Sequence, residues 1–270
     1  MSPKRLLAIG IALLCVGLWC LTPGRAQFGV VKNLVTFCGQ GGNDSFTKLL
    51  VHFDGANAST AIKDSSPSQR GAGTLVGGTI QIQTSTWKFG GAAAGGGTSA
   101  GGNYWTFPNS ADYAFGTADF TIDFWAIKRS DNFFGFPVWF EDNPSFQNGW
   151  LIAVGQNSGT SLDYFGWSVI SAGVGVYSWE YAPAIGTLAG WHHYALVRSS
   201  GTFSGYVDGV AQTPTTLTGD PAGSIPNSSD VLRIMGGISG GGPANVDELR
   251  ISNKARWTAN FTPPPQGYCP

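Results

Sequence analysis

The chain has 270 residues, of which 11% are charged, with 15 Lys and Arg against 16 Asp and Glu, 40 glycines and 10 tryptophans. A near-neutral balance without a clustered basic excess excludes a nucleic-acid partner. So little charge leaves solubility to Ser, Thr, Asn and Gly, which excludes a charge-rich helical protein and suits an exported, β-rich one.

Lys4 and Arg5 precede an uncharged apolar run from Leu6 to Leu21, and Gly24-Arg25-Ala26 follows with a small-x-small pattern. The run falls short of the ~20 residues of a membrane span. Residues 1–26 are therefore expected to be a signal peptide, with an uncleaved anchor as the alternative. Cleavage removes three basic residues and leaves a slightly acidic chain without a membrane span, secreted, extracellular or on the cell surface. Cys15 and Cys20 leave with the signal, while Cys38 and Cys269 remain, one near each mature end. In an oxidising compartment such a pair reads as a disulfide, and closing so long a loop stabilises by roughly 4 to 5 kcal/mol in the chain-entropy model.

Residues 27–47 read as an N-terminal extension. Beyond them, short runs with two-residue alternation recur: LLVHF at 49, TIQIQ at 79, DFTIDFWAI at 119, PVWFE at 137 and WLIAVG at 150. YFGWSVI at 164, VGVYSWEY at 174, WHHYALVRS at 191, FSGYVDG at 203, VLRIMGG at 231 and VDELRIS at 246 continue the pattern. Gly, Pro, Asn and Ser punctuate these runs, which predicts an all-β fold of two packed antiparallel sheets. Only NKARWTA, residues 253–259, reads as a short helical turn. The Gly-rich stretch 89–103 and the run 213–229 are expected to be loops inside one domain.

In WHHYALVRS successive side chains point to opposite faces, so His192 and His193 diverge and cannot grip one ion. Asp208-Gly209 supplies the positive φ of a two-residue hairpin and needs no chemistry to explain it.

Five stretches together resemble the concanavalin A-like, or laminin G-like, jelly-roll domains of bacterial secreted and phage proteins. They are LLVHFDGANASTAIKDSS (49–66), KFGGAA (88–93), NYWTFPNSADYAFGTADFTIDFWA (103–126), GWHHYALVRSSGTFSGYVDGV (190–210) and NVDELRISNKARWTANFTPP (245–264). The resemblance spans residues 48–264, is weak over 130–185, and leaves 265–270 as a tail. It implies a jelly-roll sandwich whose first and last strands are neighbours. It also implies that a structural Ca2+ sits between those strands, with Asp54 of HFDG and Asp247 of NVDEL as ligands and Asp64 as a weaker third. Hard carboxylate and carbonyl oxygens suit that ion. The alternatives are a turn residue before Gly55 for Asp54 and a strand-end acid facing an arginine for Asp247.

Function is less determined than fold, because this architecture hosts lectins, adhesion modules and glycosidases. Glycoside hydrolysis needs two carboxyl groups across a cleft, and the Glu-x-Asp-x-x-Glu spacing of enzymes with this architecture is absent. Asp119 and Asp123 share a strand face, while Glu141 and Asp142 point apart, so no enzyme is expected. Trp139 and Trp150 flank the polar loop EDNPSFQNG and are expected to be partly exposed, forming a ligand site with Glu141 and Asn148. Tyr177, Trp179 and Tyr181 share one face and read as core ahead of a sugar platform, and Trp125 and Trp191 read as core. The resulting expectation is a secreted, non-catalytic recognition module that binds a glycan or surface polysaccharide or mediates adhesion. The alternative is a structural protein of a cell surface, filament or virion with protein neighbours, and a glycosidase or polysaccharide lyase ranks third.

Overall fold

A computed structural model describes residues 42–96, 102–128, 134–142, 146–156, 162–184, 186–236 and 243–269. In chain order its strands are β1 (Thr47–Val51), β2 (Ile62–Lys63), β3 (Ala72–Val76), β4 (Gln81–Gln83), β5 (Ala93–Gly95) and β6 (Tyr104–Phe107). Next come β7 (Phe120–Ile127), β8 (Phe134–Glu141), β9 (Gly149–Gln156), β10 (Asp163–Ser171), β11 (Val174–Tyr181) and β12 (His192–Ser199). The last five are β13 (Thr202–Val207), β14 (Val210–Ala211), β15 (Thr216–Gly219), β16 (Leu232–Gly236) and β17 (Asn245–Ser252). A single 3-10 turn at Ala111–Tyr113 is the only helical element among the described residues.

The strands form two antiparallel sheets. One has eight strands in the order β14-β13-β12-β7-β17-β5-β4, with β1 also on β17, and the other has nine in the order β15-β11-β10-β9-β8-β16-β6-β3-β2. The first and last strands are thus neighbours, with Leu50 opposite Arg250. The two-residue period becomes a sandwich because each strand sends alternate apolar side chains to the facing sheet. β7 contributes Phe120, Ile122 and Phe124 to the core, β12 Tyr194 and Leu196, and β9 Trp150, Ile152 and Val154. Rings bridge the sheets: Phe165 of β10 lies 5.2 Å from Tyr194 of β12, and Phe120 of β7 lies 5.5 Å from Trp167 of β10. At Gly205 an added Cβ would run into the Trp179 indole, so β13 must present bare backbone there.

β17 departs from strict alternation at one point. Its register on β7 shifts between Asp247 and Arg250, and Glu248 sits at φ 51°. This bulge absorbs one residue. As a result Asp247 and Arg250, three apart in sequence, both pair with outward-facing β7 residues, opposite Trp125 and Asp123.

Part of the second face of the eight-stranded sheet is covered by chain rather than by water. The segment following β17 lays Ala255, Trp257 and Phe261 against Ala195, Val197 and Tyr206. The expected helical turn at 253–259 does not form. Arg256 is instead drawn to Ser252 at 2.7 Å and to Asp44 at 2.8 Å, and Trp257 stacks on Phe261 at 3.9 Å, which holds the segment in an irregular course against the sheet.

Candidate functional site

The residues expected to bind ligand sit together at one end of the β8–β9 pair, but the pleat divides them between the two faces of the sheet. Trp139 is 2% exposed and Trp150 is fully buried, which corrects the partial exposure expected of both. The reason is position, since β8 and β9 are interior strands of the nine-stranded sheet and their ends are not its rim. Trp150 points into the core, stacked on Trp167 at 5.3 Å, and its indole N–H donates to the Tyr113 carbonyl at 2.9 Å. Trp139 lies opposite Arg233 in the register, whose guanidinium sits 4.6 Å over its ring. Glu141, two residues on, is equally buried, with Oε2 lacking a partner. Burial pushes its carboxyl up to about 7, against the pull of the Arg233 charge. Asn148 donates to Asp142 at 3.2 Å and accepts from the Ala172 amide, which fixes a loop. Trp139 and Glu141 therefore share a neighbourhood, Trp150 belongs to the core, and Asn148 is structural. Tyr177 and Trp179 are in the core, as expected, with Tyr181 packed against it.

The two acids expected to hold a metal do converge on one short loop. Asp247 is fully buried, and Oδ2 accepts the amides of Lys88 and Phe89, each at 3.0 Å. Its Oδ1 is buried without a partner. Burial, with the nearby charges of Glu248 and Asp54, holds this carboxyl well above the usual carboxylate range. Asp54 is also shifted upward, by burial and then by Glu248. Its carboxyl occupies the space that a Cβ on Gly90 would need, at a glycine with φ 63°. Glu248 itself is committed, accepting from His52 Nδ1 at 3.0 Å and from the Tyr268 amide at 3.0 Å. Asp64 is excluded from the cluster, because it accepts from the amides of Leu50, Ser66 and Arg70. Among the described residues no group of three or more His, Cys, Asp and Glu side chains is arranged to hold a metal. The orphaned Asp247 oxygen, with the Asp54 carboxylate nearby, is a donor set that a hard divalent ion would suit.

Next to these acids lies a recess of about 430 Å³ lined by Lys88, Phe89, Trp125, Trp191, Asp208 and Pro263 to Pro265. Trp125 projects from the outer face of β7, 7% exposed, and Trp191 at the start of β12 is half-buried. Trp125 is buried, as the sequence reading expects, though outside the inter-sheet cluster, whereas half-buried Trp191 is not a core residue, contrary to that reading. Phe89 meets Trp125 edge-on at 5.6 Å, and the Lys88 ammonium stands 3.9 Å over the Trp125 ring. Asp208 occupies the hairpin turn at φ 51° as expected, but it also bonds His192 Nδ1 at 2.6 Å and the His193 amide at 2.9 Å. The hydrogen bond to Asp208 raises the His192 pKa. His193 diverges to the other face, fully buried beneath Trp257 and Phe261 at 5.9 and 5.7 Å. The prolines arrive on the C-terminal segment, pinned where the Phe261 amide donates to Gly209 at 2.9 Å. A signal for this wall was present in the sequence, as FTPPP directly after an aromatic.

Beneath that segment a buried charge pair closes the sheet. Arg250 Nε and Nη2 donate to the Asp123 carboxylate at 2.9 and 3.1 Å, both side chains fully buried. The Tyr268 hydroxyl donates to the same carboxylate, and His193 Nε2 lies 3.4 Å from it. Burial raises the Asp123 pKa, but the Arg250 charge, with His193 close by, outweighs it and holds the carboxyl far below its ordinary range. Cys269, next in sequence, is disulfide-bonded, and Cys38, the partner expected for it, lies outside the described residues. The expected signal peptide lies outside them as well. No helix among the described residues is long and apolar enough to cross a membrane.

Residues 97–260 match a family model described as the concanavalin A-like lectin/glucanases superfamily. Among curated proteins nothing matches. Solved structures of similar fold include domain 4 of AbnA, a GH43 extracellular arabinanase from Geobacillus stearothermophilus, in complex with arabinotriose. The match has 18% identity and a TM-score of 0.50, and it covers 77% of this chain and 93% of that one. The botulinum neurotoxin serotype D binding domain matches with 12% identity and a TM-score of 0.52, over 78% of this chain and 48% of that one. Trypanosoma rangeli sialidase in complex with 2,3-difluorosialic acid matches with 11% identity and a TM-score of 0.51, over 82% of this chain and 34% of that one. The chain thus spans about half of the toxin domain and a third of the sialidase.

Proposed function

The chain belongs to the concanavalin A-like lectin/glucanase superfamily, and on that footing we propose that it is a secreted, non-catalytic module that binds a glycan or surface polysaccharide. The observation that carries this reading is the recess, where half-buried Phe89 and Trp191 and the edge of Trp125 stand beside Lys88 and Asp208. Ring faces and edges suit the C–H faces of sugars, while the ammonium and carboxylate suit their hydroxyls. The fold-mate solved with arabinotriose shows the same architecture holding an oligosaccharide. A non-catalytic role is supported by the commitment of Asp123 and Asp119, the first holding Arg250 and the second accepting the Ser200 amide at 2.7 Å.

Two further features belong to the proposal. A calcium ion held by Asp54 and Asp247 would stiffen the Lys88–Phe89 wall of the recess, because Asp247 also carries that wall's amides. A Cys38–Cys269 disulfide would tie down the end of the segment bearing the proline wall.

The test is a glycan array followed by calorimetric titration with a retained oligosaccharide, arabinotriose included. Trp191→Ala is expected to weaken binding at least tenfold with an unchanged circular dichroism spectrum. Binding that survives both Trp191→Ala and Phe89→Ala refutes the recess as the site. A second reading, assembly with protein neighbours, is favoured by Val174, Val176 and Leu217 on β11 and β15, which are 62%, 42% and 57% exposed. A sugar-insensitive oligomer in light scattering would select it.

A further inference from the structure

His192 follows Trp191 at the start of β12, and both of its ring nitrogens meet groups that accept. Nδ1 lies 2.6 Å from Asp208 Oδ2, and Nε2 lies 3.0 Å from the Ala189 carbonyl oxygen. A carbonyl oxygen can only accept, and so can an ionised carboxylate. Burial pushes the Asp208 carboxyl up, but the hydrogen bonds from His192 and the His193 amide outweigh it and keep that carboxyl ionised. A neutral imidazole carries one N–H and can serve one of the two acceptors, so making both bonds requires the imidazolium.

These two bonds control the chain that carries Trp191, a wall of the recess. The bond to Ala189 spans Gly190 and Trp191 and closes a bend in which Gly190 sits at φ 85°. Before the bend the chain is anchored where the Leu188 amide donates to buried Asp163 at 3.0 Å. After it, the His193 amide donates to Asp208 Oδ1 at 2.9 Å. When the ring loses a proton, the charge-assisted bond to Asp208 is the stronger and is retained. The Nε2 lone pair then faces the Ala189 oxygen, attraction turns to repulsion, and the bend between the two anchors opens.

We infer that the His192 imidazolium is the latch that seats Trp191 in the wall of the recess, so that the recess is formed while the ring is charged and loosened once it is neutral. Resting on the recess as the binding site, this adds that site's regulation. The groups around the ring fix the direction. The hydrogen bond to Asp208, on the turn after β13, raises the His192 pKa, against burial and the Lys88 charge from the segment before β5. The Tyr194 ring lies 6.4 Å away on the same strand, and burial pushes its hydroxyl up, so it stays neutral. The His192 ring is half-buried, which leaves it open to proton exchange with solvent. With a raised pKa the charged latch is complete at low pH and is lost as pH rises through that value, so binding weakens with rising pH. Asp54 and Asp247, behind the Lys88–Phe89 wall, are also raised, and their titration is separate because it does not pass through His192.

The first experiment needs no ligand. The whole protein, labelled with fluorotryptophan, is titrated between about pH 5 and about pH 9, with the Trp191 fluorine signal and the His192 ring proton followed by NMR. Trp191→Phe and His192→Gln assign the two signals. The Trp191 signal is expected to move with the His192 midpoint, and to stay flat at that midpoint in His192→Gln. A glycan array read at both ends of the range should show retained oligosaccharides, arabinotriose among those printed, bound at least tenfold more tightly by the wild type at the lower pH. In His192→Gln that difference should vanish. Reciprocity adds that a tenfold coupling raises the His192 midpoint by about one pH unit when the oligosaccharide is bound. A Trp191 signal indifferent to the His192 titration overturns the latch whatever binds the recess, as does a pH difference in binding that persists in His192→Gln. Binding that survives both Trp191→Ala and Phe89→Ala fails the recess reading instead, and the latch is then decided by the Trp191 signal alone.

Discussion

Replacing Arg250 by Met keeps most of the side-chain stem and removes the guanidinium that makes two bonds to the fully buried Asp123. Asp123 would then depend on the Tyr268 hydroxyl and on His193 at 3.4 Å. Stranding a buried charge in this way costs about 3–5 kcal/mol. At about 2–4 °C per kcal/mol for a domain of this size, the unfolding temperature should fall by roughly 6–20 °C. The double variant Asp123→Leu/Arg250→Met removes both charges, so its cost should be far below the sum of the single costs. The sign of the pH dependence is a second check. In the wild type Asp123 is depressed, so its contribution is present above the ordinary carboxylate pKa and is lost as pH falls through the depressed value. Without Arg250 only the Tyr268 hydroxyl and the nearby His193 oppose burial, so the carboxyl rises and the variant's deficit should shrink between pH 7 and about pH 4. Guanidinium titrations followed by tryptophan fluorescence at both pH values measure all of this. A single variant within 1 kcal/mol of wild type at pH 7, or a double variant as damaging as the summed singles, refutes the account.

Glu141 gives the opposite pH dependence: raised to about 7, it favours the fold below its ordinary pKa, and that contribution is lost as pH rises through about 7. Glu141→Gln should flatten the melting temperature between pH 5 and 8, and an unchanged slope would show that another group is responsible. Adding calcium is expected to raise the melting temperature of the wild type, since a ligand at 100 times its Kd contributes about 2.7 kcal/mol. Asp247→Asn should abolish the rise, and a wild-type melt indifferent to both calcium and chelator would remove the metal from the proposal.

Alternation in runs such as FTIDFWAI and HHYALVRS was sufficient to determine strands, two sheets and the divergence of His192 from His193, because side-chain period is a local property of the backbone. It also placed Tyr177 and Trp179 in the core, and the resemblance rightly put the first and last strands side by side. What periodicity does not carry is which face of a strand meets the opposing sheet, and what covers the other face. Trp125 and Trp150 look alike in their runs, yet one borders a recess and the other lies in the core, a difference set by neighbours distant in sequence. The bulge at Glu248 shifts the phase of β17, so that Asp247 and Arg250 share a face that strict alternation would divide. The segment after β17, read as a turn and a tail, becomes the wall of the recess and the lid over Asp123 only because Trp257, Phe261 and Tyr268 find a sheet face to cover. Local pattern therefore determined the elements and the fold class, while the candidate sites were decided by tertiary packing, since a recess or a buried charge pair exists only between segments that folding brings together.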